Sequence, residues 1–317
     1  MSKTGSDILR AKQALEAGKL VGIPTETVYG LAGNAFDTNA IASIFKVKNR
    51  PAFDPLIIHT HSLNTLKDLV FHVPEYALKL AEKYWPGPIT ILMERSNKIH
   101  NLITNGSEIV GVRIPNHELT LQLLKSLDFP LAAPSANPFG YISPTSAAHV
   151  EAQLGESVEY ILDGGPCKVG IESTVIGLNK GIPTIYRKGG ISREEIEATI
   201  GKVEVMSSSS SNPNSPGLLE KHYSPKTPFV IGDIKELITD YQNKNTAILS
   251  FQKKYRPVHK NDRVLSESGN LTEAAVNLFS FMRELDQLKP DIILTELLPE
   301  KGLGASINDR LKRAAAK

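Results

Sequence analysis

Leu20–Leu31 reads LVGIPTETVYGL. Leu20–Ile23 is a short apolar run with strand character, and Pro24 ends it. Thr25, Glu26, Thr27 and Tyr29 then crowd into one segment closed by Gly30. Taken alone, this is a turn capped by hydroxyls. The same grammar recurs along the chain. Strands are expected at Leu56–His59, Ile89–Met93, Val110–Ile114, Leu131–Pro134, Val158–Leu162, Ser173–Gly177 and Thr184–Arg187. Helices are expected at Ala40–Val47, Pro74–Trp85, Leu119–Ser126 and Ser146–Leu154, with another beginning near Asp7 and stopped by Gly18. Strands outnumber helices and several are joined by short turns, which implies an open, twisted, mixed sheet with helices rather than a parallel one.

Ser207–Ser211 is a serine run continued by Asn212, Pro213, Asn214, Ser215, Pro216 and Gly217, a composition that reads as a linker. After Pro228, strands at Phe229–Ile231, Ala247–Phe251, Arg263–Leu265 and Ile292–Thr295 alternate with helices at Ile234–Gln242, Leu271–Leu288 and Ser306–Ala316. That order suggests a small Rossmann-like parallel α/β domain. The expected division is a first domain over 1–206, a connecting segment over 207–228 and a second domain over 229–317.

The 317 residues are 41% apolar and 22% charged, which excludes global disorder, collagen-like sequence and coiled coil. No apolar run nears the ~20 residues that span a bilayer, and the first thirty residues lack a signal-peptide core. Cys167, the one cysteine, permits no internal disulfide and no cysteine-based zinc site. These features point to the cytoplasm. The net charge is +2, with 20 basic and 21 acidic residues over 1–206, so neither part resembles a polybasic nucleic-acid arm.

Walker A, HExxH, CxxC and GxSxG patterns are absent. KGLGAS (Lys301–Ser306) reads as a loop and helix start, and Cys167 as inert. His59 and His61 lack a third metal ligand. What remains is a scatter of polar groups at strand ends. Lys46, Lys48 and Arg50 sit at a helix end, where cations suit the helix dipole or a polyanion. Arg113 lies in the apolar run IVGVRIP and needs an anionic partner, whether a structural acid or a substrate carboxylate. PSANPFGYISPT (Pro134–Thr145), GIESTVI (Gly170–Ile176) and IYRKGG (Ile185–Gly190) add hydroxyls and Arg187. A cleft of guanidinium and hydroxyl groups suits catalysis by positioning and charge neutralisation, as in nucleotidyl transfer.

PTETVYGL, KVKNRP followed by PLIIH, GVRIP, PSAN…SPT, ESTV and YRKGG occur in that order. The set resembles the L-threonylcarbamoyladenylate synthase family, the YrdC-domain proteins. SPGLLEKHYSP and GLGASINDRLKRAA look like the family's long form with an additional C-terminal domain. The resemblance implies a YrdC-like fold for the first domain and a reaction joining L-threonine, bicarbonate or CO2, and ATP into threonylcarbamoyl-AMP with release of pyrophosphate, for tRNA modification. It implies threonine contacts at Thr27, His59, Arg113 and Ser173 and the backbone near Ala133. It implies ATP contacts at Lys48, Arg50, Asp54, Ser135, Ser143 and Arg187 and the backbone near Ile109, with Tyr223 folding over the nucleotide as part of a lid. Lys48 and Arg50 are the candidates for charge stabilisation in the reaction itself. Mg2+ would accompany ATP through its phosphates rather than through a protein cage. Separate tRNA threonylcarbamoyl transferase proteins would use the product, and a weak direct contact with tRNA is allowed. Asn49, Ala52 and Asp54 depart from the family's common glycine, serine and asparagine, and Lys188 from its proline. The competing readings are a non-catalytic module for double-stranded RNA or tRNA, and a carbamoyl-adenylate enzyme fed by carbamoyl phosphate.

Overall fold

The structure, a computed structural model, describes residues 3–51, 53–206, 222–256 and 260–316. The serine run, the residues up to Lys221, and Ala52 lie outside them. The strands are β1 (Thr4–Gly5), β2 (Val21–Ile23), β3 (Gly30–Asn34), β4 (Ile57–His59), β5 (Ile89–Glu94), β6 (Ile109–Arg113), β7 (Leu131–Ala132), β8 (Tyr160–Leu162), β9 (Thr174–Asn179), β10 (Ile182–Arg187), β11 (Glu204–Val205), β12 (Phe229–Ile231), β13 (Thr246–Ser250), β14 (Asp262–Val264) and β15 (Ile292–Thr295). The helices are α1 (Ile8–Glu16), α2 (Thr38–Lys48), α3 (Leu66–Leu69), α4 (Glu75–Tyr84), α5 (Asn101–Thr104), α6 (Glu118–Ser126), α7 (Ala147–Leu154), α8 (Arg193–Ile200), α9 (Ile234–Asp240), α10 (Leu271–Gln287) and α11 (Leu303–Ala315).

Among the described residues the first eleven strands form one mixed sheet, ordered β1-β8-β2-β3-β7-β4-β6-β5-β9-β10-β11. The last four form a separate parallel sheet, ordered β12-β15-β13-β14. The mixed sheet arises because short hairpins (β2–β3, β9–β10) alternate with crossovers through helices. β3 carries no strand signal in its sequence: GLAGN has no polar alternation and two glycines, and it forms because antiparallel β2 and β7 flank it.

Local chemistry sets the element ends near the cleft. Asp37 caps α2 by accepting from the Asn39 amide, and Asn49 ends it in the left-handed region at φ 51°. That conformation favours glycine, and asparagine is the side chain that tolerates it at small cost. In β10, Ile185 pairs with Ile176 and Arg187 with Val175, so Tyr186 is an extra residue whose bulge re-aims Arg187.

The apolar core follows the same division with one exception. The two clusters around the mixed sheet hold only residues of the first part. The cluster of the second sheet, built on Leu278, Phe279, Met282 and Ile293, also takes in Val28, Ile142 and Ile171 from the first part and Tyr223 from the connecting segment.

Candidate active site

Strand register brings distant motifs together. Ile57 and His59 share a face of β4, as alternation requires, and His59 lies in register with Arg113 on the parallel neighbour β6. Ala133 follows β7 and donates its amide to the Ile57 carbonyl at 3.0 Å. Ser135 forms an antiparallel bridge to Gly30. Ser173 immediately precedes β9, and Arg187 ends its antiparallel partner β10. A cleft results, lined by residues from each of these segments together with Thr25, Thr27, Arg50, Glu172, His222 and Tyr223.

All five residues expected at threonine line this cleft: Thr27, His59, Arg113, Ala133 and Ser173. Arg113 is buried and held on three sides. Its Nη2 pairs with Glu26 Oε1 at 2.7 Å, Nη1 donates to Thr27 Oγ1 at 2.9 Å, and Nε donates to the Gly87 carbonyl at 3.2 Å. The two readings of Arg113, structural ion pair and cleft cation, therefore coexist. Thr25 Oγ1 lies 2.8 Å from Thr27 Oγ1 and donates to the Val28 carbonyl at 2.6 Å, fixing the hydroxyl-rich turn. Ser173 Oγ is 2.7 Å from Thr90 Oγ1. Burial, reinforced by the charge of Arg113, lowers the His59 pKa to about 3, so the ring is neutral, and its Nδ1 has no hydrogen-bond partner among the described residues.

Of the residues expected at ATP, Arg50, Ser135, Arg187 and Tyr223 line the cleft, and four others are placed differently. Lys48 turns inward: its Nζ donates to the carbonyls of Ser135 and Asn137, each at 2.5 Å. It supports the Ser135 loop from behind. Lys46 points outward, so only one of the three helix-end cations reaches the cleft. Asp54 is fully buried and pairs with Arg50 Nη2 at 2.8 Å, which answers how an acid tolerates this neighbourhood. Ser143 is buried and donates to Glu172 Oε1 at 2.5 Å. Ile109 departs most from expectation. It begins β6, four residues before Arg113 and so about 13 Å away in an extended strand, and borders a separate groove with His72, Tyr76 and Tyr186.

Arg187 donates from Nε and Nη2 to the Ser173 carbonyl at 3.2 and 3.0 Å, and from Nη2 to Ser173 Oγ at 3.2 Å. Tyr223 is buried at φ 64°, stacked on Phe279 with ring centres 5.4 Å apart. Burial and the nearby Glu172 carboxylate push its pKa up to about 12, so it is a neutral phenol. Cys167 is buried and its thiol is pushed up by desolvation, which leaves it inert. His61 is separated from His59, bordering another cavity with Asp68 and Phe129.

Residues 13–189 match the Sua5/YciO/YrdC family model, described as telomere recombination, and residues 191–316 match the model described as threonylcarbamoyl-AMP synthase, C-terminal domain. The chain belongs to the threonylcarbamoyl-AMP synthase family. It is 39% identical to the threonylcarbamoyl-AMP synthase of Pyrococcus abyssi over 95% of this chain and 92% of that protein. It is 37% identical to that of Bacillus subtilis over 99% of this chain and 94% of that protein. The crystal structure of P. abyssi Sua5 complexed with L-threonine superposes with a TM-score of 0.92 at 37% identity, covering 98% of this chain and 96% of that one.

Three features of this threonylcarbamoyl-AMP synthase family member were not assigned from sequence. Glu26 backs Arg113 and also accepts from the Asn116 amide at 3.0 Å. Glu172 lines the cleft, and His222 stands beside Tyr223 with ring centres 4.1 Å apart. Each sits inside a quoted motif (PTETVYGL, ESTV, HYSP), so adjacency to an assigned residue was the available signal. The family relationship does not favour the non-catalytic RNA-binding reading.

Proposed function

We propose that this chain condenses L-threonine, bicarbonate or CO2, and ATP into threonylcarbamoyl-AMP and pyrophosphate. The observation that carries the reading is the convergence of Thr27, His59, Arg113, Ser135, Ser173, Arg50 and Arg187 on one buried cleft. Arg113, oriented by Glu26, is suited to the threonine carboxylate, and neutral His59 on the cleft wall is suited to pack against the amino acid. Arg187, and the Arg50 guanidinium held in place by Asp54, are suited to donate hydrogen bonds to phosphates, with Ser135 as a hydroxyl donor. The neutral amine of threonine adds to CO2 and gives up one proton to solvent, and an oxygen of the resulting carbamate attacks the α-phosphorus and displaces pyrophosphate. Exclusion of water by the bound substrates would protect the labile carbamate and strengthen each of these interactions.

Mg2+ would enter with the triphosphate. The acids nearest the cleft are already engaged, Asp54 by Arg50 and Glu172 by Ser143 and Arg310, and no cluster of three or more metal-ligating side chains occurs among the described residues. Tyr223, on the cleft wall, is suited to act as the lid over the nucleotide, which makes the second unit a support for that lid. A cytoplasmic setting fits, since no helix of the described residues is long and apolar enough to cross a membrane. The product would pass to tRNA threonylcarbamoyl transferase proteins. The test is incubation of the purified chain with ATP, bicarbonate and isotopically labelled threonine. Threonine-dependent pyrophosphate release with label in a nucleotide adduct is expected; pyrophosphate release independent of threonine refutes the reading.

A further inference from the structure

Arg310, in α11 of the second unit, is the largest fully buried side chain among the described residues, and its contacts lead into the cleft. Nε and Nη2 both donate to Glu172 Oε2, at 3.1 and 3.0 Å. Nη1 donates to the Lys188 carbonyl at 2.5 Å and to Asp309 Oδ2 at 3.2 Å, an acid that Arg313 also holds at 3.1 Å, so Glu172 and not Asp309 depends on Arg310 for its neutralising charge. The guanidinium also lies 5.4 Å from the Tyr223 ring centre. Glu172 Oε1 is taken by Ser143 Oγ, so both carboxylate oxygens are held. One side chain thus grips the residue before Ser173 and the residue after Arg187.

The electrostatic consequence is specific. Glu172 shares the cleft wall with Arg187. An uncompensated carboxylate there would repel a polyphosphate and draw the Arg187 guanidinium toward itself. Arg310 supplies the cancelling charge from behind, out of reach of solvent.

We propose that Arg310 is a positioning residue for the nucleotide, neutralising Glu172 and fixing the Lys188 backbone so that Arg187 faces the phosphates. This rests on the ATP-dependent reading above. It makes the second unit part of the nucleotide site through charge, independently of any lid.

The test uses the full chain and calorimetric titration with ATP and, separately, with L-threonine. Arg310→Met is expected to raise the ATP Kd on the order of tenfold while shifting the threonine Kd by about twofold at most. Arg310→Met/Glu172→Gln, which removes both charges, is expected to restore ATP affinity. Arg310→Lys, which keeps a cation behind Glu172, is expected to bind ATP more tightly than Arg310→Met. Unchanged ATP affinity in Arg310→Met, no recovery in the double variant, or ATP binding by Arg310→Lys no tighter than by Arg310→Met would each overturn the proposal. An unmodified chain that binds ATP yet makes no adduct refutes the proposed reaction and leaves this charge balance testable; one that binds no ATP refutes both.

Discussion

Gly170 rests directly on the backbone of α10: a Cβ at residue 170 would stand 2.5 Å from the Ala275 carbonyl oxygen and 2.5 Å from Val276 Cα, and its φ is +77°. Two and three residues on, Glu172 and Ser173 line the cleft. The contact therefore sets the distance between the second unit and the site. Gly170→Ala is expected to cost about 2 kcal/mol or more, from the positive φ and the clash together, and to lower turnover by displacing the Glu172–Ser173 segment. Urea denaturation and pyrophosphate release check this. Gly140→Ala, also at positive φ but with open space around the Cβ, is the control that isolates backbone strain.

Arg113 bonds to Glu26, Thr27 and the Gly87 carbonyl on the cleft wall. Arg113→Ala is expected to raise the KM for threonine by tenfold or more, on the order expected for a lost buried charge-assisted contact, and to change the KM for ATP far less. Steady-state kinetics with each substrate varied in turn decides it. Equal changes in both constants would show that Arg113 organises the whole cleft instead.

Lys48 is buried beneath the Ser135 loop, where two carbonyls accept its protons. Lys48→Met is expected to destabilise the chain by about 2 kcal/mol or more, because those carbonyls lose their partners without gaining water. ATP binding should weaken as the loop loosens. A denaturation midpoint equal to that of the unmodified chain, with weaker ATP binding, would instead mark Lys48 as a direct phosphate contact.

Burial, then the Arg113 charge, lowers the His59 pKa from 6.5 to about 3, and burial with Arg283 lowers that of His149 to about 4. An unfolded histidine takes up a proton near pH 6.5, whereas the folded ones resist until these lower values. The unfolded state then binds more protons, so stability is intact above pH 6.5 and is lost as pH falls toward 3. His59→Gln is expected to flatten this loss between pH 6.5 and about 5, above the range where carboxylates dominate. Unfolding free energies measured across that interval in both proteins check the sign.

The strand–turn grammar around PTETVYGL and the regular alternation after Pro228 were legible because short apolar runs, glycine and proline act locally. They correctly excluded a purely parallel first sheet and pointed to the separate parallel second one. The resemblance carried by the ordered motifs named residues that the structure gathers into one cleft: Thr27, Arg50, Arg113, Ser135 and Arg187. Where a residue points depends on its partners. KVKNRP offered Lys46, Lys48 and Arg50 as equals, but the left-handed turn at Asn49 and the pull of two carbonyls send Lys48 inward. Ile109 and Arg113 belong to one short strand, yet its extended rise keeps Ile109 out of the cleft.

From sequence alone came the α/β class, the two-part organisation and the chemical vocabulary of the site, because these rest on local conformational preference and on motif order. Tertiary structure alone decided that Glu26 backs Arg113, that Tyr186 is bulged so that Arg187 turns inward, and that Arg310 reaches Glu172 across 138 positions of chain. Those pairings follow from sheet register and from two cores packed against each other, which no stretch of neighbouring residues can specify.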